Sequence, residues 1–169
     1  MGFFGLYGST AALATTLTLA TAINCSGIGF QRGTHTRWQL VANDGTVAPT
    51  LTDMGASFAI ATSGVLTLFI AAPPNGSSVW VRVVDEVSGA VFEQEITADL
   101  PANTQFLSPR LFMNNGATAA AVAFDCSGVY VETDCHAVRS TRRHLPLRLR
   151  SCRNRIVLAM SPEPRLWTY

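Results

Sequence analysis

The chain has 169 residues and a mass of 18.1 kDa, enough for one hydrophobic core and too few for two comfortable domains. Hydrophobic residues make up 48% and charged residues only 14%, so Thr, Ser, Asn and Gly must supply much of the surface, as is common on β-proteins that assemble into larger particles. The net charge of +1 hides an asymmetry: all twelve basic residues are Arg, eight of them follow Asp134, and beyond that point Glu163 is the only carboxylate side chain.

Residues 1 to 31 carry no charged side chain. Within them "AALATTLTLATA" has the length of a signal-peptide core, with Ala20-Thr21-Ala22 as a cleavage motif, but no basic stretch precedes it and Thr interrupts it repeatedly. It also falls short of the ~18 apolar residues that a membrane-spanning helix needs, so no membrane segment is expected. The pattern instead predicts a strand over "GFFGLYG", a Thr-rich loop, and a second strand over "INCSGIGFQ".

Strand signals recur at short intervals from Arg37 onward. "RWQLVAND" places Trp38 and Leu40 on one face and closes at the turn signal Asn43-Asp44-Gly45. "GVLTLFIAA" sets Leu66, Leu68 and Ile70 against Val65, Thr67 and Phe69, and "PPNGSS" ends it. "SVWVRVVDEVSGAVFEQEIT" reads as a hairpin turning through Val87-Ser88-Gly89-Ala90, with Val79, Val81 and Val83 opposed to Trp80, Arg82 and Val84. "LPANTQFLSP" is a loop. "RLFMNNGATAAAVAFDCSGVYVETD" supplies three further strands, the first pair joined at Asn114-Asn115-Gly116. The Ala-rich stretch from Ala117 to Ala123 suits a helix by composition, yet its flanking Asn-Gly and the β-branched and aromatic residues after it favour a strand. Many short strands without βαβ crossovers predict an all-β fold, an antiparallel β-sandwich or jelly roll, over residues 1 to 134.

Residues 135 to 169 have neither period. Pro146, Pro162 and Pro164 interrupt them, and "HLPLRLR" alternates with no partner evident in the sequence. This Arg-rich tail is expected to be poorly ordered, or to hold at most one short helix near Ile156 to Met160. Arg without any Lys looks more like the codon usage of a GC-rich gene than a surface selected for solvation.

Several groups of residues have the types that chemistry needs. Cys126 follows Phe124 by two, on one strand face, which predicts a buried free thiol. Cys135, His136, His144 and Cys152 lack the close Cys or His pair of a zinc site, so no metal is expected. Glu93 and Glu95 sit ~6.5 Å apart along one strand face, a spacing that does not by itself exclude a glycosidase pair. They read better as a solvated face. Histidines occur only at 35, 136 and 144, and no Gly-x-Ser-x-Gly elbow is present, so no catalytic residue and no cofactor is assigned. Trp80 and Arg82 share a face on which an indole can stack a sugar and a guanidinium can bind its hydroxyls; the turn amides Asn75, Asn114 and Asn115 add donors and acceptors. The competing reading is cross-strand packing of Trp80 with Arg82 covering it.

The segments "APPNGSSVWVRVVDEVSGAVFEQEITADLP" and "LSPRLFMNNGATAAAVAFDCSGVYVETD" resemble the carboxy-terminal region of bacteriophage fibre proteins, tail or head fibres with a concanavalin A-like, lectin-type jelly roll. A Pro-Asn-Gly turn, a hairpin with a central Ser-Gly, an LP-containing loop, an Asn-Gly hairpin and a closing E-T-D strand carry the likeness. "WQLVANDG", "LTDMGASF" and "GLYGSTAAL" look like earlier strands of the same module. The resemblance implies a third acidic position, three residues beyond Glu95, in the family's glycosidases; Ala98 stands there.

In the family the chain tends to stop just after E-T-D, whereas here Cys135 follows with 34 more residues. Met1 also opens almost directly on a strand, so the chain is expected to be a distal module, truncated at its start and extended at its end by read-through or frame-shifted sequence. The function that the resemblance implies is that of a virion structural protein, a homotrimeric fibre module in contact with other virion proteins and able to bind host-surface glycan. Two alternatives stand beside it. The Arg-rich tail could make this a nucleic-acid-associated protein by neutralising phosphates, although it lacks any recognisable motif. A carbohydrate-active enzyme on a lectin-like fold would need Glu93 or Glu95.

Overall fold

The computed structural model describes residues 1–9, 18–21, 24–46, 48–60, 64–73, 76–115, 125–133 and 154–161. Among them are ten strands and no α-helix: β1 (Gly2–Tyr7), β2 (Cys25–Phe30), β3 (Gln39–Asn43), β4 (Thr50–Asp53), β5 (Leu66–Ala72), β6 (Val79–Asp85), β7 (Val91–Ile96), β8 (Ser108–Met113), β9 (Asp125–Thr133) and β10 (Asn154–Ser161). They form two five-stranded sheets, ordered β4-β3-β2-β1-β8 and β7-β6-β5-β10-β9, and every pairing is antiparallel. The fold is an all-β sandwich, as the alternation in the sequence predicts.

Period-two patterning decides what lies between the sheets. Phe4, Leu6, Ile28 and Leu40 from the first sheet meet Leu66, Leu68, Ile70, Val81, Val83 and Ile96 from the second in one buried cluster, closed by Met54 and Phe58. Full burial of each such side chain stabilises the fold by about 1.5–3 kcal/mol. The facing assignments for β5 and β6 hold residue by residue: Leu68, Ile70, Val81 and Val83 are buried, while Trp80 and Arg82 are exposed.

The outer faces of the two sheets differ. On the first sheet Phe3, Tyr7, Cys25 and Val41 form a second buried cluster with Leu19, which the 3-10 turn Leu19–Thr21 lays over this face. β1, β2 and β3 are consequently buried at every position. The glycines here serve close approach. Gly5 and Gly27 are direct cross-strand partners, and a Cβ at Gly27 would collide with the Phe4 carbonyl oxygen. Among the described residues none covers β5, β6 and β7 in this way, and the outward positions of these strands are half-buried or exposed.

Turn chemistry matches the sequence signals. Asn43 Oδ1 accepts from the Gly45 amide at 2.6 Å and Asp44 Oδ1 from the Thr46 amide at 2.9 Å, with Gly45 at φ 90°. Between β6 and β7, Asp85 accepts from the Val87 amide at 2.9 Å and from the Ser88 hydroxyl at 2.9 Å, and Gly89 takes φ 73°. Asp99 ties the two layers together, its carboxylate accepting from the amides of Asp44 and Thr50 at 3.0 and 2.7 Å.

Three expectations are corrected. Cys126 is exposed; the buried thiol is Cys25, because β9 is the outermost of the described strands in its sheet and residues 126–131 are all exposed, whereas β2 is covered on both faces. The helix expected over Ile156 to Met160 is part of strand β10, paired with β5 on one side and β9 on the other. "LTDMGASF" is one short strand, β4, followed by a 3-10 turn at Ala56–Phe58, rather than strand throughout. The strand expected over residues 117–124, and the remainder of the tail, lie outside the described residues.

Candidate functional site

The open outer face of the second sheet collects the polar and aromatic residues that the core alternation turns outward. Cross-strand register aligns them in rows. Arg82 stands between Glu93 on β7 and Phe69 on β5, and the row continues through the position of Val157 to Tyr130 on β9. The neighbouring row runs Glu95, Trp80, Ala71. Adjacent strands lie ~4.8 Å apart and Trp80 is ~6.6 Å from Arg82 along β6. Phe69 and Tyr130 thus share one row, two strands apart, and Trp80 stands in the neighbouring row on β6.

A depression of about 470 Å³ opens on this face, lined by Phe69 and Ala71 from β5, Trp80, Arg82 and Val84 from β6, and Glu93 from β7, with Glu86 at the turn. Ala71 is the cross-strand partner of Trp80, which is 54% exposed. Arg82 engages a carboxylate of the next strand. Its Nη1 pairs with Glu93 Oε1 at 3.3 Å, both side chains being more than half exposed. In solvent such a pair contributes ~0–1 kcal/mol to stability, so these groups are free to trade partners with a ligand.

The candidates from sequence separate. Trp80 and Arg82 share the depression. Asn114 and Asn115 follow β8 on the opposite sheet, where the Met1 amino group donates to the Asn114 carbonyl oxygen at 2.7 Å and to its Oδ1 at 3.3 Å. They belong to the edge of the other layer. Asn75 and the Arg-rich residues 135–153 lie outside the described residues. Sequence reasoning missed Phe69 and Tyr130 as members of this face. The signal for Phe69 was present, since it is the residue turned away from Leu68 and Ile70; the placement of Tyr130 needed the non-local pairing through β10. Glu93 and Glu95 are both exposed on the open face, and Glu93 is engaged by Arg82.

Chemically the arrangement offers an apolar platform bordered by a cation and carboxylates, able to stack a ring and hydrogen-bond around its edge. Among the described residues no group of His, Cys, Asp and Glu could hold a metal ion, and no helix is long and apolar enough to cross a membrane. No protein-family model, curated protein or solved structure matches the chain.

Proposed function

We propose that this chain is a virion structural protein, a phage fibre-type module that works as a homotrimer and binds host-surface carbohydrate on the open face of its second sheet. The observation that carries the binding site is the half-exposed indole of Trp80, cross-strand from Ala71 and one row from the Arg82–Glu93 pair. An exposed Trp on a sheet with a depression next to it fits a sugar ring, whose CH face stacks while its hydroxyls reach the guanidinium and carboxylates. Binding suits the site better than hydrolysis, because Glu93 and Glu95 are both exposed on one strand face and Glu93 is paired with Arg82. Fibre membership is supported by the likeness of residues 71–134 to fibre carboxy-terminal segments, by the sandwich fold and by the sparse charge.

The test is a glycan array probed with the labelled chain and with Trp80→Ala. The wild-type chain should retain at least one class of surface glycan, and Trp80→Ala should weaken that binding about tenfold or more, the equivalent of roughly 1.4 kcal/mol. Trp80→Phe should retain part of it. A folded wild-type chain that retains nothing, or a Trp80→Ala chain that binds equally well, would overturn the reading.

A further inference from the structure

Charge is unevenly spread over the open face of the second sheet. The β6–β7 hairpin, from Val79 to Ile96, carries four carboxylates, Asp85, Glu86, Glu93 and Glu95, and a single basic residue, Arg82. Arg82 is paired with Glu93, and among the described residues Glu86 and Glu95 enter no ion pair. Asp85 is turned to its own loop, where it accepts from the Val87 amide and the Ser88 hydroxyl. A further basic position, Arg155, lies in the Trp80 row. Register places it two strands from Trp80, about 10 Å away, with Glu132 as its partner on the far side.

The immediate surroundings of the indole are therefore acidic. Glu95 is the direct cross-strand partner of Trp80, a relation that sets two Cβ atoms about 4.5–5.5 Å apart on the same side of a sheet. Both side chains are exposed, and Glu86 and Glu93 line the depression that Trp80 borders. The face of an indole attracts a cation through its negative ring potential, and a carboxylate on the next strand adds to that attraction. A neutral sugar would use only the stacking surface. An acidic sugar would meet Glu86, Glu93 and Glu95 with like charge.

We infer that the Trp80 face selects a sugar that bears a free amine, its ring stacked on the indole and its ammonium group held between that ring and the Glu95 carboxylate. The inference rests on the carbohydrate reading given above and narrows it to amino sugars of a surface polysaccharide. Trp80 supplies the platform, Glu95 determines the specificity, and Glu86 and Glu93 turn away acidic sugars.

Titration calorimetry of the full chain tests it with the tetrasaccharide of glucosamine, the same tetrasaccharide with every amine acetylated, and the tetrasaccharide of galacturonic acid. The glucosamine probe should bind about tenfold more tightly than its acetylated form, which keeps the ring and lacks the charge, and the galacturonic acid probe should bind most weakly. Glu95→Gln should bring the glucosamine probe to within about twofold of the acetylated one and leave the latter unchanged, whereas Trp80→Ala should weaken both. The comparison of probes uses the wild-type chain alone, so it decides even if a variant fails to fold. Equal affinity for the amine and acetyl forms, or an amine preference that survives Glu95→Gln or Trp80→Ala, overturns the inference. Tighter binding of a synthetic peptide of residues 136–150 would assign the face to a basic peptide and overturn it as well. If a neutral or acidic glycan is instead held through Trp80, the amine selectivity falls and the carbohydrate reading stands. If no probe and no arrayed glycan binds, both fall.

Discussion

Cys25 and Gly27 show how little freedom the doubly covered first sheet leaves. Burial beneath Leu19 pushes the Cys25 thiol up to about 12 from an ordinary 9.0, the charge of Asp99 adding to the effect. The sign of the linkage follows. A thiol whose folded value is raised contributes stability that is complete below its unfolded value and lost as pH climbs through the folded one. Stability should therefore fall between about pH 9 and 12, and Cys25→Ala should flatten that fall in a denaturant titration series. Thiol reagents at pH 8 should label exposed Cys126 in the native state and spare Cys25 until the chain unfolds. Gly27→Ala should cost about 1–3 kcal/mol, as overpacking does, because the new methyl meets a carbonyl oxygen that the β1 ladder holds in place. Chemical denaturation of that variant checks the value; an unchanged midpoint would mean that β1 and β2 are less closely apposed.

At the scale of elements, the β6–β7 hairpin is the part most fully legible in the sequence. Alternation gave the facing of both strands and Val87-Ser88-Gly89-Ala90 gave the turn, because hairpin pairing is local and Gly89 supplies the positive φ that the turn requires. Asp85 anchors it. Desolvation pushes its carboxyl up, but hydrogen bonds from the Val87 amide, the Ser88 hydroxyl and the Ser88 amide together hold it below the usual value. A depressed carboxyl stabilises above its unfolded value, near ~3.9, and that contribution is lost as pH falls through the folded one. Asp85→Ala should lower stability by about 1 kcal/mol at neutral pH and narrow its difference from wild type below pH 4, as followed by thermal melts. What the sequence left unread was non-local. "RIVLAM" suits a helix or a strand by composition, and only its pairing with β5 and β9 decides between them. Cys126 was misplaced for the same reason, since a two-residue spacing gives the face of a strand and not whether that strand is covered. In the candidate site, Trp80 and Arg82 were legible from alternation; the contribution of Ala71 and the alignment with Tyr130 came from register.

At the scale of the whole molecule, the described residues cover one outer face of the sandwich and leave the other open, and several large hydrophobics stay exposed. Val129, Tyr130 and Val131 on β9, the outermost described strand of its sheet, are about half exposed, and Phe106 in the loop before β8 is 93% exposed. A long apolar edge on a chain with only 14% charged residues invites association, and an oligomer that buries it keeps such a surface soluble. A trimer would also set three copies of the Trp80 face side by side, turning a weak sugar contact into an avid one. The most direct measurement is the mass of the full chain by multi-angle light scattering across a hundredfold range of concentration. An assembled fibre module predicts three times the 18.1 kDa chain mass throughout; a single-chain mass at every concentration would contradict it.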